Sequence, residues 1–301
     1  MKAWVLHSPG DLCFEDVLEP TPKFGEVLVK VKCAGICSSD IARIFSTGAY
    51  RYPLIPGHEF SGETADGRRV GVFPLLPCFE CESCKLKTYE TCSNYSYIGS
   101  RQDGAFAEYI AVPKWNLVEI PDNMSFEVAA LLEPAAVALH AVKQFDLQNI
   151  SSIVVVGNGV IGKLVAKWLR IYGANNVELL GRGDTQRLAY YDACVEAVGS
   201  MDSLRRCMDL VRPNGEIVLV GNPSNDFCIE QKLYWQILRK QINIHGSWNS
   251  RYPSDWQQVI EHADKLYMDG LISHRYLFEN LSEALAMRCS GGKYMILLKS
   301  G

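Results

Sequence analysis

The spacing of apolar and polar positions divides the chain into two regimes. Up to about residue 120, apolar residues come in short runs that alternate with polar ones and are bounded by Pro and Gly, the pattern of half-buried strands. Glu26-Val27-Leu28-Val29-Lys30-Val31-Lys32, Arg69-Val70-Gly71-Val72-Phe73 and Phe106-Ala107-Glu108-Tyr109-Ile110-Ala111-Val112 are the clearest cases. Pro113 to Pro121 marks the exit from this region. From about 122 the period lengthens, and the stretch 125–133 predicts a helix with Ser125 as its N-cap. A continuous apolar run, Ile153-Val154-Val155-Val156, then reads as a buried strand, followed by a Gly-rich turn and a helix over 160–172. A second strand is predicted at 177–180, further buried strands at 193–198, 216–220 and 242–246, and one more at 294–299. Helices are predicted at about 201–211, 229–240 and 254–268. Strands alternating with helices imply an α/β fold with a parallel, doubly wound sheet. There is no internal repeat and no low-complexity segment.

A chain of 301 residues carries a prior of about two domains. Apolar residues make up 48% and charged residues 21%, an ordinary globular balance. The formal net charge of -4 argues against a dedicated nucleic-acid binder, which needs clustered Lys and Arg. No stretch approaches the roughly 20 apolar residues of a membrane helix, and the first residues lack the apolar core of a signal peptide. The expectation is a cytoplasmic protein with no membrane partner. Eleven cysteines in a reducing compartment read as metal ligands and buried thiols rather than as a disulfide framework.

Four of those cysteines crowd into "PCFECESCKLKTYETC". Cys78, Cys81, Cys84 and Cys92 follow C-x2-C-x2-C-x7-C. Such tight spacing lets one loop wrap a zinc ion, and four thiolates fill its tetrahedral shell. A filled shell leaves no position for substrate, so this zinc would be structural. Unrelated free thiols, a redox pair and a four-iron cluster are the rival readings. A second donor set lies in "AGICSSD" and "PGHEFSG". Cys37, His58 and a carboxylate from Glu59 or Glu133 would make a three-ligand site with one open position, as catalytic zinc requires. Taken singly, a Cys or a His is more often core packing.

"VVVGNGVIGKLVAKWL" places Gly157, Gly159 and Gly162 as G-x-G-x-x-G between a predicted strand and a predicted helix. That context gives the motif its weight: a tight turn, a close approach for a pyrophosphate, and a close helix–strand contact. Gly159, Val160 and Ile161 open the helix whose free N–H groups face the phosphates. Where an NAD site places an acid at the end of the second strand, this chain has Gly181 and Arg182, with Arg187 near in sequence. Loss of the acid and gain of a guanidinium favour NADP over NAD.

Together, "RIFSTGAYRYPLIPGHEFSG", "VFPLLPCFECESC" and "YIGSRQDGAFAEYI" resemble the zinc-dependent medium-chain dehydrogenases, most closely their polyol branch, over nearly the whole chain. The resemblance implies a GroES-like β-barrel catalytic domain over 1–120, to which 266–301 returns, and a Rossmann domain over 121–265. It implies two zinc ions per chain. Cys37 and His58 match catalytic zinc ligands, Glu59 the carboxylate that ligates in this branch, and Glu133 a second carboxylate that can ligate directly, through water, or in alternation. Asp40 matches the acid that fixes the His58 tautomer. Ser39 matches the hydroxyl that takes the substrate proton. A histidine that relays this proton in some members is replaced by Ala42, so a relay here would use water or the cofactor ribose.

The implied reaction is hydride transfer between a secondary alcohol of a polyol or polyol phosphate and NAD(P), in a homodimer or homotetramer. Butanediol- or threonine-type dehydrogenases differ only in the pocket and stay open. A metal-free quinone reductase is disfavoured by the cysteines. A non-catalytic nucleotide sensor with a structural zinc stays open too. It gains some support from a departure: after Leu180 the chain runs almost directly into the run at 193–198, leaving no residues for a third strand and its helix. The turns near 62–68 and 286–293 are short as well. His140 reads as packing. Arg43, Arg51 and Arg101 read as solvated charge that can also meet a substrate phosphate. "INIHGSWNS" resembles a strand region paired across the family's dimer interface. Cys13, Cys33, Cys194, Cys207, Cys228 and Cys289 read as small apolar packing groups.

Overall fold

A computed structural model describes residues 1–185, 187–223, 226–287 and 292–298. Cys289, Lys299 and part of the short turn at 286–293 lie outside them. The chain divides into two compact units, one of Met1–Glu133, Arg251–Ala263 and Tyr267–Gly301, the other of Pro134–Ser250 and Asp264–Leu266.

The first unit is built on a seven-stranded sheet. Its order runs Ile272–Leu277, Lys293–Leu297, Glu26–Ile36, Glu59–Thr64, Arg69–Val72, Leu117–Glu119, with Tyr109–Pro113 also pairing to Glu26–Ile36. The long central strand follows its sequence pattern. Val29, Val31 and Cys33 are fully or almost fully buried, while Lys30 and Lys32 between them are only partly so. Beyond Cys33 successive residues are all buried, and both edges of the strand are paired, by Lys293–Leu297 on one side and Glu59–Thr64 on the other. Trp4, Phe60, Val70, Val72, Phe106, Tyr294 and Ile296 fill one common core. The short turn after Glu59–Thr64 is a closed hairpin, with Thr64 N–H donating to Arg68 O at 2.9 Å and Gly67 N–H to Thr64 O at 2.9 Å.

The predicted helix at 125–133 is broken in two. Ser125 caps Phe126–Ala129 by accepting from Val128 N–H, and a new helix, Leu132–Val142, starts three residues on. Pro134 explains the break. It has no N–H to give and is tolerated in the first turn of a helix, not inside one. The prediction at 254–268 also divides, into Ser254–Glu261 and Ala263–Leu266.

The second unit is a parallel sheet in the order Val177–Leu180, Ile153–Val156, Tyr191–Glu196, Val211–Leu219, Asn243–Gly246. This is the doubly wound 3-2-1-4-5-6 order with position 3 missing. Val177–Leu180 is therefore an edge. The crossing from it to Tyr191–Glu196 uses only residues 181–190, with no helix among the described ones, where parallel strands usually need a dozen residues or more. Arg206, on the helix Met201–Leu210, braces that crossing with bonds to Gly181 O (2.7 Å) and Asp184 O. Cys194 and Cys207 pack in this unit's core and Cys33 in the first unit, as expected of small apolar groups. Cys13 and Cys228 are exposed instead. Cys13 sits on the outer strand of a two-stranded hairpin, where its thiol meets Asp11 at 3.4 Å.

Candidate active site

Cys37 stands at the end of the long central strand, as N-cap of the short helix Ser38–Ala42. His58 precedes the neighbouring strand, and Glu59 opens it. Antiparallel pairing sets Gly35 opposite Glu59, so two elements that meet only through the sheet deliver three donors to one place. The ligand atoms of Cys37, His58 and Glu59 all lie within 4.8 Å of one another. Asp40 is fully buried, and its Oδ1 faces His58 Nδ1 at 3.1 Å while its Oδ2 accepts from Cys37 N–H at 3.2 Å. That leaves Nε2 as the nitrogen of His58 free to ligate. Burial opposes a charge on His58, but Asp40 outweighs it and raises the ring well above its ordinary pKa. Ser39 Oγ donates to Cys37 Sγ at 3.3 Å.

Glu133 lies outside the three-donor group. It is buried, and its Oε1 accepts from Tyr97 O–H at 3.2 Å. Burial pushes its carboxyl up to about 7, with Glu59 adding to the shift and His58 and Lys293 opposing it. Tyr97 in turn sets its ring edge-on to His58, with centroids 5.7 Å apart.

One member of this cluster went unread in the sequence. Lys293, almost fully buried, donates to Glu59 Oε1 at 2.7 Å and Oε2 at 2.5 Å and to Ile36 O at 3.2 Å. Gly35 leaves room for the pair: a Cβ there would stand 2.5 Å from Glu59 Oε2. A lysine at the head of the apolar run Tyr294-Met295-Ile296 was the available signal, since a buried Lys must find a partner. Tyr97 opens the stretch "YIGSRQDGAFAEYI" but was not singled out there.

The four-cysteine loop closes on itself. Cys78 and Cys84 sulfurs are 3.9 Å apart, Cys81 and Cys92 3.7 Å, Cys92 and Cys78 3.5 Å. A tetrahedral zinc with bonds of about 2.3 Å separates its sulfurs by about 3.8 Å, so the loop is already shaped for the ion. N–H groups of Cys84 and Ser93 pull the Cys81 thiol down to about 6, and those of Glu80 and Cys81 lower Cys78. Burial pushes Cys84 up to about 12. The Cys37, His58 and Glu59 set mixes S, N and O donors and, with three, leaves a fourth position open. Both sets fit zinc.

In the second unit, Gly157 ends the strand Ile153–Val156 with φ +123°, a conformation that side chains resist. A Cβ on Gly162 would lie 1.7 Å from Gly157 O, whereas one on Gly159 would meet nothing within 4 Å. The helix Val160–Ile171 has no side-chain cap at Gly159, so Val160 and Ile161 begin it with free N–H groups beside open space. The turn fits a dinucleotide pyrophosphate. Gly181 N–H donates to Asp184 Oδ2 at 2.7 Å, Arg182 is exposed, and Arg187 lies over the Tyr190 ring at 5.3 Å. Asp184 was not singled out in the sequence; it is the one acid bonded to this strand end among the described residues. His140 is buried, its carbonyl accepting from Gln144 at 3.1 Å.

A sheet-and-core unit carrying a Cys-His-Glu donor set, together with a parallel sheet carrying a dinucleotide turn, defines a metal- and nicotinamide-dependent oxidoreductase. Residues 23–122 match the family described as Alcohol dehydrogenase GroES-like domain, and residues 182–265 the family described as Zinc-binding dehydrogenase. The chain is 31% identical to galactitol 1-phosphate 5-dehydrogenase of Escherichia coli (strain K12), covering 99% of this chain and 100% of that protein. That alignment runs over 346 positions although this chain has 301 residues, so it places gaps here. The chain is 29% identical to L-threonine 3-dehydrogenase of Chelativorans sp. (strain BNC1), covering 97% and 96%. The crystal structure of galactitol-1-phosphate dehydrogenase from Escherichia coli superposes with a TM-score of 0.89 at 30% identity, covering 99% of this chain and all of that one. The chain belongs to the zinc-dependent medium-chain dehydrogenases, in their polyol branch, and is an NAD(P)-dependent alcohol dehydrogenase of GroES-like and Rossmann fold.

Proposed function

We propose that this chain interconverts a secondary alcohol of a polyol or polyol phosphate with the corresponding ketone, using NADP in preference to NAD. The convergence of Cys37, His58 and Glu59 beside Ser39 carries this reading. We assign two zinc ions to each chain, one on the four cysteines and one on Cys37, His58 and Glu59, with Glu133 as an alternative carboxylate. When bound, zinc supplies Lewis acidity that eases loss of the substrate's hydroxyl proton, and the nicotinamide supplies the hydride acceptor. Asp40 holds His58 in one tautomer and orientation. Lys293 holds Glu59. Ser39 Oγ, whose O–H now points at Cys37 Sγ, would receive the substrate's hydroxyl proton as its own proton turns away from Cys37 and passes on. Ala42 offers no onward group, so the proton leaves through water or the cofactor ribose.

Gly159 and its neighbours bind the pyrophosphate, and the absence of an acid at Gly181-Arg182 supports a 2′-phosphate there. Asp184 weighs against it, although Gly181 N–H occupies one of its oxygens. We further propose a homo-oligomer. Asn243–Gly246 is a sheet edge, and it exposes Ile244 and, just beyond, Trp248. On the helix Gln231–Lys240, Tyr234, Trp235 and Leu238 are exposed as well, apolar surface that a second copy would cover. We further propose a cytoplasmic location, a reading that the unpaired cysteines of the described residues support. No helix among the described residues is long and apolar enough to cross a membrane.

The test is nicotinamide absorbance against time with galactitol 1-phosphate, sorbitol, xylitol and 2,3-butanediol, each with NADP and with NAD. Turnover of a polyol or its phosphate, faster with NADP, is expected. Turnover confined to 2,3-butanediol would reassign the substrate class. Nucleotide binding with no turnover, indifferent to Cys37→Ser, would favour a sensor.

A further inference from the structure

We propose that Arg101 is a phosphate-binding residue, and that the substrate is therefore the phosphate monoester of an open-chain polyol rather than the free polyol. The inference rests on the dehydrogenase reading above and goes further by naming the substrate class.

Three arginines flank the donor cluster in sequence, and the fold separates them. Arg43 is spent on Asp40 (3.4 Å) and Ser39 O (3.4 Å). Arg51 is spent on Asp103 (2.8 Å) and Pro53 O (3.0 Å). Arg101 has no acceptor among the described residues. Its guanidinium lies 4.4 Å from the Tyr50 ring centre and 4.7 Å from that of Tyr95. Every other described arginine of the first unit donates to a carboxylate or a carbonyl.

Rings that hold the faces of a guanidinium fix its plane and leave its N–H edge open. A planar fork of donors with a fixed direction and no counter-charge is the arrangement that takes a phosphate through two hydrogen bonds. Arg101 is also only partly exposed, so an anion meeting it is less screened than at an open surface.

The position is right for a substrate tail. Arg101 N–H donates to Tyr97 O at 2.9 Å, so the residue sits one tight turn from the tyrosine that contacts Glu133. The turn is pinned to the segment before His58. Gly104 N–H donates to Ile55 O at 2.7 Å and Ala105 N–H to Gly57 O at 3.0 Å. From Arg101 the rings of Tyr95 and Tyr97 step back to His58, with centroids 6.4 Å and then 5.7 Å apart. An extended six-carbon polyol phosphate spans about 7.5 Å from its far secondary carbon to phosphorus, six bonds that each advance about 1.25 Å along the zigzag. A phosphate on Arg101 would direct the polyol chain back along these rings toward His58.

The experiment compares kcat/KM for galactitol 1-phosphate and for galactitol in the wild type, Arg101→Gln and Arg101→Lys, alongside calorimetric titration of galactitol 1-phosphate into each protein. The ratio of the two kcat/KM values, ester over free polyol, is expected to fall about 30-fold in Arg101→Gln, the worth of one charge-assisted phosphate contact, mainly through KM. Arg101→Lys restores part of it. Calorimetric affinity for the ester falls in parallel. Equal losses on both substrates, or a wild type that prefers galactitol, would overturn the assignment. Ester binding that weakens in Arg101→Gln while no variant turns anything over would retain the phosphate site and overturn the dehydrogenase reading instead.

Discussion

Among single residues, the Glu59–Lys293 pair has the largest energetic stake. Both side chains are almost fully buried, and neither charge is tolerable there without the other. In the metal-stripped protein, replacing Lys293 by Met leaves the Glu59 carboxylate uncompensated and is expected to cost about 3–5 kcal/mol. Urea unfolding of the two proteins measures it; coincident midpoints would show that Glu59 is not held this way. No local pattern announces the pair, because its partners are 234 residues apart in the chain. The four-cysteine donors were legible for the opposite reason, since their chemistry is written in short spacings.

Asp192 gives a pH-dependent counterpart. Burial opposes its charge, but Arg212 and the N–H groups of Ser151 and Ser152 more than offset this and hold its carboxyl below the usual range. The ionised form is thus favoured in the fold. Its contribution is complete above the ordinary carboxylate pKa of about 3.9 and disappears as pH falls through the lower folded value. Asp192→Asn is therefore expected to lose about 2 kcal/mol at pH 7. Stability curves of the two proteins should converge as the pH drops below about 4; a gap independent of pH would rule out the ionised role.

Secondary-structure elements divide into those decided locally and those decided by packing. The strand at Ile153–Val156, its glycine turn and the helix Val160–Ile171 were readable because glycine spacing and hydrophobic period agree there. The single helix predicted over 125–133 was not, since its apolar period continues straight through the break that Pro134 makes necessary. Arg51 and Arg101 were equally charged letters until the fold gave one an aspartate and the other two rings.

The glycine turn yields a paired prediction. Gly162→Ala drives a methyl into Gly157 O and is expected to weaken both folding and NADP binding. Gly159→Ala adds a methyl to open space, so its melting temperature should stay close to wild type while NADP binding falls at least tenfold, because the methyl blocks the pyrophosphate's approach. Cofactor titration by fluorescence, with melting curves for both variants, tests the pair. Equal behaviour of the two would mean that the turn does not carry the pyrophosphate.

For the whole molecule, the chain keeps its family's fold while its Rossmann sheet, among the described residues, lacks one edge strand of the doubly wound order. The omission was legible as a gap in the strand–helix rhythm after Leu180. How the crossing survives was not, because it depends on Arg206 reaching Gly181 and Asp184 from another helix. The four-cysteine loop acts at this scale too. Its sulfurs repel one another as thiolates and are held together by zinc, so metal stripping is expected to lower the melting temperature as well as the activity.

The measurement that bears most directly on the central claim is zinc content together with turnover rate for the wild type and Cys37→Ser. The account predicts two zinc ions per chain in the wild type. It predicts one in the variant, with the structural ion retained, a near-normal melting temperature and a rate lower by at least about a thousandfold, the scale of losing a Lewis acid. A variant that keeps both metals and its rate would contradict the assignment of Cys37, His58 and Glu59 as the catalytic centre.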